Sequence, residues 1–371
     1  MANEKKVARE PSFILALIPI VAMIGFMLYC FLGHSESGYH DAHMPLVLSI
    51  VVACIVGFAC GHSFQDMLAG MIDRLAASME AVLILCTVGF LVSSFMASGA
   101  IPSLIVYGLD LLTPKLFLPI GCILCAIVGM ACGSSWTTTA TIGLAFLGIG
   151  AGLGIPAPIT AGMIISGAYV GDKFSPLSDT TNLAAAVAET GLFDHVTAMV
   201  STTGPTLLLS LILYTILGLN VDTSAYDATV AEGIQEAFRG AFTISPILLL
   251  PIIVVIVMCI LRVPGLVGIA ISVATAVVFM LIFQSTDIFY SYSLGDIFDV
   301  LHYGHAVETG NAVADSILGK AKGMDGMMWT INLILVALAY GGALERCGCI
   351  EKLFGGLKHK IHSVGSLILA T

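Results

Sequence analysis

Almost uninterrupted apolar stretches recur along this chain, most of them about 18–22 residues long and so able to cross a bilayer core of about 30 Å. They lie at 12–32, 44–61, 81–98, 197–219, 241–262, 264–283 and 330–345. Only 10% of the 371 residues are charged and 58% are hydrophobic, giving a mean hydropathy of +1.02; soluble domains carry about 25% charged residues. Inside lipid every backbone N–H and C=O must be satisfied by the chain itself, so the runs read as helices. The expected fold class is an all-α polytopic membrane protein, with no large water-soluble domain. The net charge of −10 sits mainly in the polar connections and does not suggest nucleic-acid binding.

Lys5, Lys6 and Arg9 precede the first run. That run exceeds the apolar core of about 7–15 residues typical of a signal peptide, and no small-residue cleavage site follows it, so it reads as a retained first span. Lysine and arginine placement orients the rest. The N-terminus is expected in the cytoplasm, together with Arg74, Arg262, Arg346, Lys352, Lys358 and Lys360. The loop 33–43 and the acidic connections 220–240 and 284–328 are expected outside, with Lys320 and Lys322 against the trend. His34, His40 and His43 then fall in a solvated outer loop. Most of the ten cysteines lie within apolar runs. Cys122 and Cys125 spell CxxC with no second pair or histidine cluster, so they read as small packing residues, as do Cys347 and Cys349.

Between 100 and 190 the apolar pieces (116–132, 140–153 and 156–170) are short or broken. Two polar motifs occupy this region. The first, Gly133 to Thr139 with Thr141, supplies hydroxyls from Ser134, Ser135, Thr137 and Thr138 and no charge. Its glycine permits a tight re-entrant bend, and Trp136 can wedge that bend or sit at the interface. The bland reading is that the hydroxyls only bond back to helix carbonyls. The second motif runs from Gly171 to Asn182 and carries Asp172, Lys173 and Asp179 among Ser175, Ser178, Thr180, Thr181 and Asn182. Charged groups at membrane depth cost about 2.5–3.5 kcal/mol on insertion scales and mark functional positions. Pro176 disfavours helix at Ser175, so a break is expected there, with Ser178 or Asp179 capping a helix that resumes toward Glu189.

The chemistry that fits is exchange of a cation for a proton. Desolvation raises a carboxyl pKa and a nearby cation lowers it, so one sheltered carboxylate can hold either ion in turn. Hydroxyl, amide and carbonyl oxygens complete the shell of a hard cation. Asp172, Asp179 and Asn182 are the leading binding residues, with Asp179 and Asn182 as the sodium ligands. Alternatively, Asp172 and Lys173 end a span at the membrane surface, Asp179 is a simple cap, and Lys173 is either a counter-charge or a snorkelling residue. Glu189, Asp194 and His195 form a further polar group, either a proton relay or an interfacial turn. The glycine-rich stretch 148–154 has neither the strand–turn–helix context nor the lysine of a nucleotide loop, and no helix-borne HExxH is present. An ATP-driven pump and a metal-dependent membrane enzyme are therefore disfavoured, and no cofactor is expected.

A weak internal repeat pairs Gly99, Ile101 and Leu104 with Gly348, Ile350 and Leu353 at a spacing of 249 residues. In the expected topology the two copies run in opposite directions, as in inverted-repeat secondary transporters. The expected organisation is an N-terminal repeat and following spans over 1–283, an external connection over 284–329, and the start of a second repeat over 330–371. Second copies of the polar motifs would fall beyond residue 371, so the chain is expected to be part of a longer transporter.

The motifs GSSWTTTATIG at 133–143, GDKFSPLSDTTNLAA at 171–185 and ETGLFDHV at 189–196 resemble the NhaC family of sodium/proton antiporters. The resemblance implies re-entrant hairpins, broken helices, an inner-membrane location and export of cytoplasmic sodium against external protons. That family also includes malate/lactate antiporters coupled to protons and sodium, which sets an organic-acid cargo as the alternative. Membrane lipid and a second copy of the chain are the expected associations.

Overall fold

The computed structural model describes residues 9–32, 41–175, 178, 180–181, 184–185, 190–220, 228–261, 263–284, 293–305, 307–319 and 321–358. Among them every regular element is helical. The chain divides into two compact units, 1–83 with 328–371, and 84–327.

The first unit contains α1 (Phe13–Leu32), α2 (His43–Ala59) and α3 (Phe64–Ala77), with most of α16 (Asp325–Arg346) and all of α17 (Cys349–Lys358). Its core gathers Ala16, Leu46, Ala53, Val56, Met67, Tyr340, Ala343 and Leu344. The Tyr340 hydroxyl ties α16 to α1 by donating to the Pro19 carbonyl at 3.0 Å. α3 and α16 cross with backbones in contact, because a Cβ on Gly342 would sit 2.5 Å from the Gly70 carbonyl. Beside that crossing, Arg74 and Arg346 line one cleft. His43 departs from expectation. It is not a solvated loop residue: its side chain is 14% exposed, its Nδ1 bonds to the Asp41 carboxylate, and Trp329 Nε1 donates to the same carboxylate at 3.0 Å. The apolar start of α2 draws this group in against α16. His34 and His40 lie outside the described residues.

The second unit runs from most of α4 (Met79–Ala97) through α5 (Ala100–Leu111), α6 (Pro114–Cys132), α7 (Ser135–Thr138), a π-helical turn (Thr139–Gly143), α8 (Leu144–Gly152), α9 (Ala157–Phe174) and α10 (Leu192–Leu219). It continues with α11 (Ala228–Ala241), a 3₁₀ turn (Pro246–Leu249), α12 (Leu250–Ile260), α13 (Gly265–Phe279), a π-helical turn (Met280–Gln284), α14 (Leu294–Tyr303) and α15 (Ala312–Leu318). Phe95, Phe117, Phe146, Met163, Phe238 and Phe242 anchor its core.

Among the described residues, four helices are long and apolar enough to cross a membrane, or up to six when two bent pairs each count as one span. The expected span 241–262 supplies the second arm of one such bend. α11 meets the following helix at 91°, because Ser245 is extended and Pro246 opens a new helix. The stretches 220–240 and 284–328, expected as outer connections, also contain packed helices. Ile234 and Phe238 of α11 are buried, as are Val300 of α14 and Ile317 of α15.

The two copies of the weak repeat contain the same break. Gly99 between α4 and α5 has φ +79°, and Gly348 between α16 and α17 has φ +73°. In the first, Ser98 N–H bonds to the Ser94 carbonyl, Gly99 N–H to Met96 and Ser103 N–H to Gly99. In the second, Cys347 N–H bonds to Ala343, Gly348 N–H to Glu345 and Lys352 N–H to Gly348. Each bond repeats at the 249-residue spacing. The left-handed glycine supplies a helix end that other residues enter only at a cost of about 1–2 kcal/mol.

Candidate functional site

The site begins with glycine. α6 and α9 pack backbone against backbone: a Cβ on Gly129 would lie 2.7 Å from the Ala168 carbonyl, and one on Gly167 or Gly171 would overlap the carbonyl of Cys122 or Ala126. This contact sets the end of α6 beside the end of α9. α6 stops at Gly133, whose φ of 62° and ψ of 25° form a left-handed cap. Ser134 is then extended and caps α7, its Oγ accepting from Thr137 N at 3.2 Å and from Thr137 Oγ1 at 3.1 Å.

The neighbouring α9 ends at Phe174, with Ser175 extended, at the break expected from Pro176. Asp172 lies in its last turn and is 5% exposed, so this carboxylate is inside the protein and does not end a span in bulk solvent. Ser135 Oγ donates to Asp172 Oδ2 at 3.4 Å across the two helices. A 37-residue separation in sequence thus closes into one buried polar contact. Around it, Ser175, Ser178 and Thr181 are buried, as are Ser135, Thr137 and Thr138. Thr181 Oγ1 donates to the Asp172 carbonyl at 3.4 Å. Ser178 Oγ accepts from Thr181 N at 3.4 Å, the bond of a helix cap.

The structure separates the hydroxyls by role. Thr138 Oγ1 donates to the Ser134 carbonyl at 2.9 Å, and Thr141 Oγ1 to Thr137 at 2.7 Å, so the back-bonding reading holds for both donors. Back-bonding occupies the proton and leaves oxygen lone pairs to face a cation. Trp136 is 53% exposed, which places its ring at the surface instead of inside the bend. Lys173 Nζ turns to the exposed Thr180, at 3.2 Å from its Oγ1, and Ser178 Oγ meets the same hydroxyl at 3.0 Å. Asp194 is exposed and His195 half-buried in the first turn of α10, which begins at Leu192. Among the described residues, no hydrogen bond ties either of them to the Asp172 group. Asp179, Asn182 and Glu189 lie outside the described residues.

One polar residue with a defined positioning role was not singled out from the sequence. Gln284, in the π-helical turn after α13, is 3% exposed. Its Oε1 accepts from Thr243 N at 2.9 Å, and its Nε2 donates to the Thr243 and Ser98 carbonyls at 3.2 and 3.1 Å. It thereby closes two helix breaks at once. A lone glutamine ending an apolar run was the available signal.

Residues 167–371, more than half of the chain and including the second motif, match the Na+/H+ antiporter family. The chain belongs to the Na+/H+ antiporter family. Among similar proteins, the arginine/ornithine antiporter ArcD of Halobacterium salinarum is 35% identical over 98% of this chain and 73% of its own length. The Na+/H+ antiporter NhaC of Alkalihalophilus pseudofirmus is 35% identical over 89% of this chain and 70% of its own. The malate-2H+/Na+-lactate antiporter of Bacillus subtilis is 32% identical over 96% and 74%. No solved structure matches. Membership in this antiporter family agrees with the apolar helices: this is a multi-pass membrane protein.

Proposed function

We propose that the protein is a secondary antiporter of the inner membrane, with a cytoplasmic N-terminus, that moves cytoplasmic sodium out as external protons move in. The observation that carries this reading is the buried Ser135–Asp172 contact, which joins the two motif-bearing helix ends into one oxygen-lined site. A sheltered carboxylate among hydroxyls and unwound backbone is the arrangement that binds a hard cation and, without it, a proton. Unwound backbone at membrane depth is tolerated where it lines such a site. In this reading Asp172, Ser135, Thr137, Thr138, Ser134, Ser175, Ser178, Thr180 and Thr181 contribute the described part of the shell. Asp179 and Asn182 complete the sodium ligands from the adjoining segment. Glu189, Asp194 and His195 carry protons toward the site, with the exposed Asp194 reached first from water.

Similar identities to relatives named for sodium, for malate and lactate, and for arginine and ornithine leave the cargo to be decided by the site. The buried Asp172 carboxylate favours the simple cation over an organic acid, because its negative charge attracts a cation and repels a carboxylate cargo. The second reading, a malate/lactate exchanger, rests on the relative of that name. Everted vesicles with a pH-sensitive dye separate these readings. Sodium alone is expected to move protons, with malate, lactate, arginine and ornithine adding nothing. A response that requires one of the organic compounds overturns the sodium/proton reading.

A further inference from the structure

The break between α16 and α17 contains two thiols that its geometry does not need. Cys347 Sγ and Cys349 Sγ lie 3.1 Å apart, sharing an S–H···S contact on either side of left-handed Gly348. Both residues are buried. The matching break between α4 and α5 makes the same backbone bonds with Ser98 and Ala100 in the two positions. Even the side-chain bond repeats, since Ser98 Oγ donates to Phe95 O at 3.3 Å and Cys347 Sγ to Leu344 O at 3.4 Å. The fold therefore forms this turn without sulfur, and the thiol pair is an addition to it.

We propose that Cys347 and Cys349 are a redox-active dithiol, oxidised by a hydroperoxide to a disulfide that locks the α16–α17 break. The sulfurs need to close by only about 1 Å to reach the bond length of about 2.05 Å. In the reaction one thiolate attacks the O–O bond, giving a sulfenic acid and releasing alcohol. The second thiol then displaces water as the S–S bond forms. Two S–H bonds are lost, the two electrons reduce the peroxide, and both protons leave with its oxygens. A hydrogen bond from the Cys349 thiol favours the Cys347 thiolate and lowers that thiol from its ordinary value, which marks Cys347 as the attacking sulfur. Cys60 is a competing partner, buried in the same core cluster.

The test uses the full chain in detergent, treated with a membrane-permeant alkyl hydroperoxide, then alkylated and mapped by peptide mass. The expected product is the loss of two hydrogens in the peptide that carries both cysteines, reversed by dithiothreitol. The double variant C347S/C349A copies the residues of the first break; it is expected to fold and to show no such loss. Hydrogen exchange at the start of α17 is expected to slow on oxidation of the wild type and to stay constant in the variant. Full alkylation of both thiols after peroxide treatment overturns the proposal, as does a disulfide to Cys60 or an unchanged exchange rate on oxidation. Should the double variant fail to fold, C349A alone, which removes one sulfur, serves as the control.

Discussion

At the level of single residues, Ser135 donates a hydrogen bond to Asp172 within the proposed shell. Their hydrogen bond is long at 3.4 Å, so it belongs at the weak end for a charged partner. Ser135→Ala is expected to weaken apparent sodium affinity about three- to tenfold, corresponding to about 0.7–1.4 kcal/mol. Sodium titration of proton movement checks this, and wild-type affinity in the variant removes the contact from the site. Asp41 makes a second residue-scale test. Its hydrogen bond from His43, followed by that from Trp329, holds its carboxyl at about 2, below the usual 3.8. A depressed carboxyl stabilises the fold above its ordinary value and loses that contribution as pH falls through the lower one. In a Trp136→Phe background, the emission change of Trp329 that depends on Asp41 is therefore expected between about pH 4 and pH 2. Asp41→Asn is expected to show altered Trp329 emission already at neutral pH.

Among the helices, backbone contact does the positioning. A methyl group on Gly171 would overlap the Ala126 carbonyl, and overpacking of this kind costs about 1–3 kcal/mol. Gly171→Ala is expected to lower the melting temperature and to abolish proton movement together, by pushing α9 off α6 and Asp172 away from Ser135. Gln284→Leu leaves the Thr243 N–H and two carbonyls without this partner, at about 1–3 kcal/mol per buried group. It is expected to destabilise the fold in thermal unfolding while leaving sodium affinity unchanged in the protein that remains folded. These helices also show what the sequence could and could not reveal. The apolar runs located α1, α2, α4, α10, α13 and α16 because spanning length is read directly from hydropathy. Gly133 and Pro176 announced the breaks through their own backbone chemistry. α11 and α14 were missed because amphipathic helices in acidic stretches resemble loops when only hydrophobicity is weighed. The Ser293–Asp296 capping box was the overlooked signal for α14. The burial of Asp172 was also hidden, since it depends on a glycine contact between helices distant in sequence.

At the scale of the whole molecule, family membership and one local geometry point the same way. The antiporter family is established by the sequence matches, while the proposed exchange of sodium for protons rests on the buried carboxylate and its hydroxyl neighbours. A passive pore would need a continuous polar path, whereas the polar motifs of this chain concentrate at two adjoining helix ends in the second unit. Coupling requires that sodium and a proton compete for the same oxygens, so that neither moves without the other. The decisive measurement is sodium-driven proton movement in everted vesicles that contain equal amounts of wild-type protein or Asp172→Asn. Wild-type vesicles are expected to shift their internal pH on addition of sodium alone, and the variant, inserted to the same level, to show no shift. Wild-type rates in Asp172→Asn would contradict the exchange of cation and proton at this carboxylate.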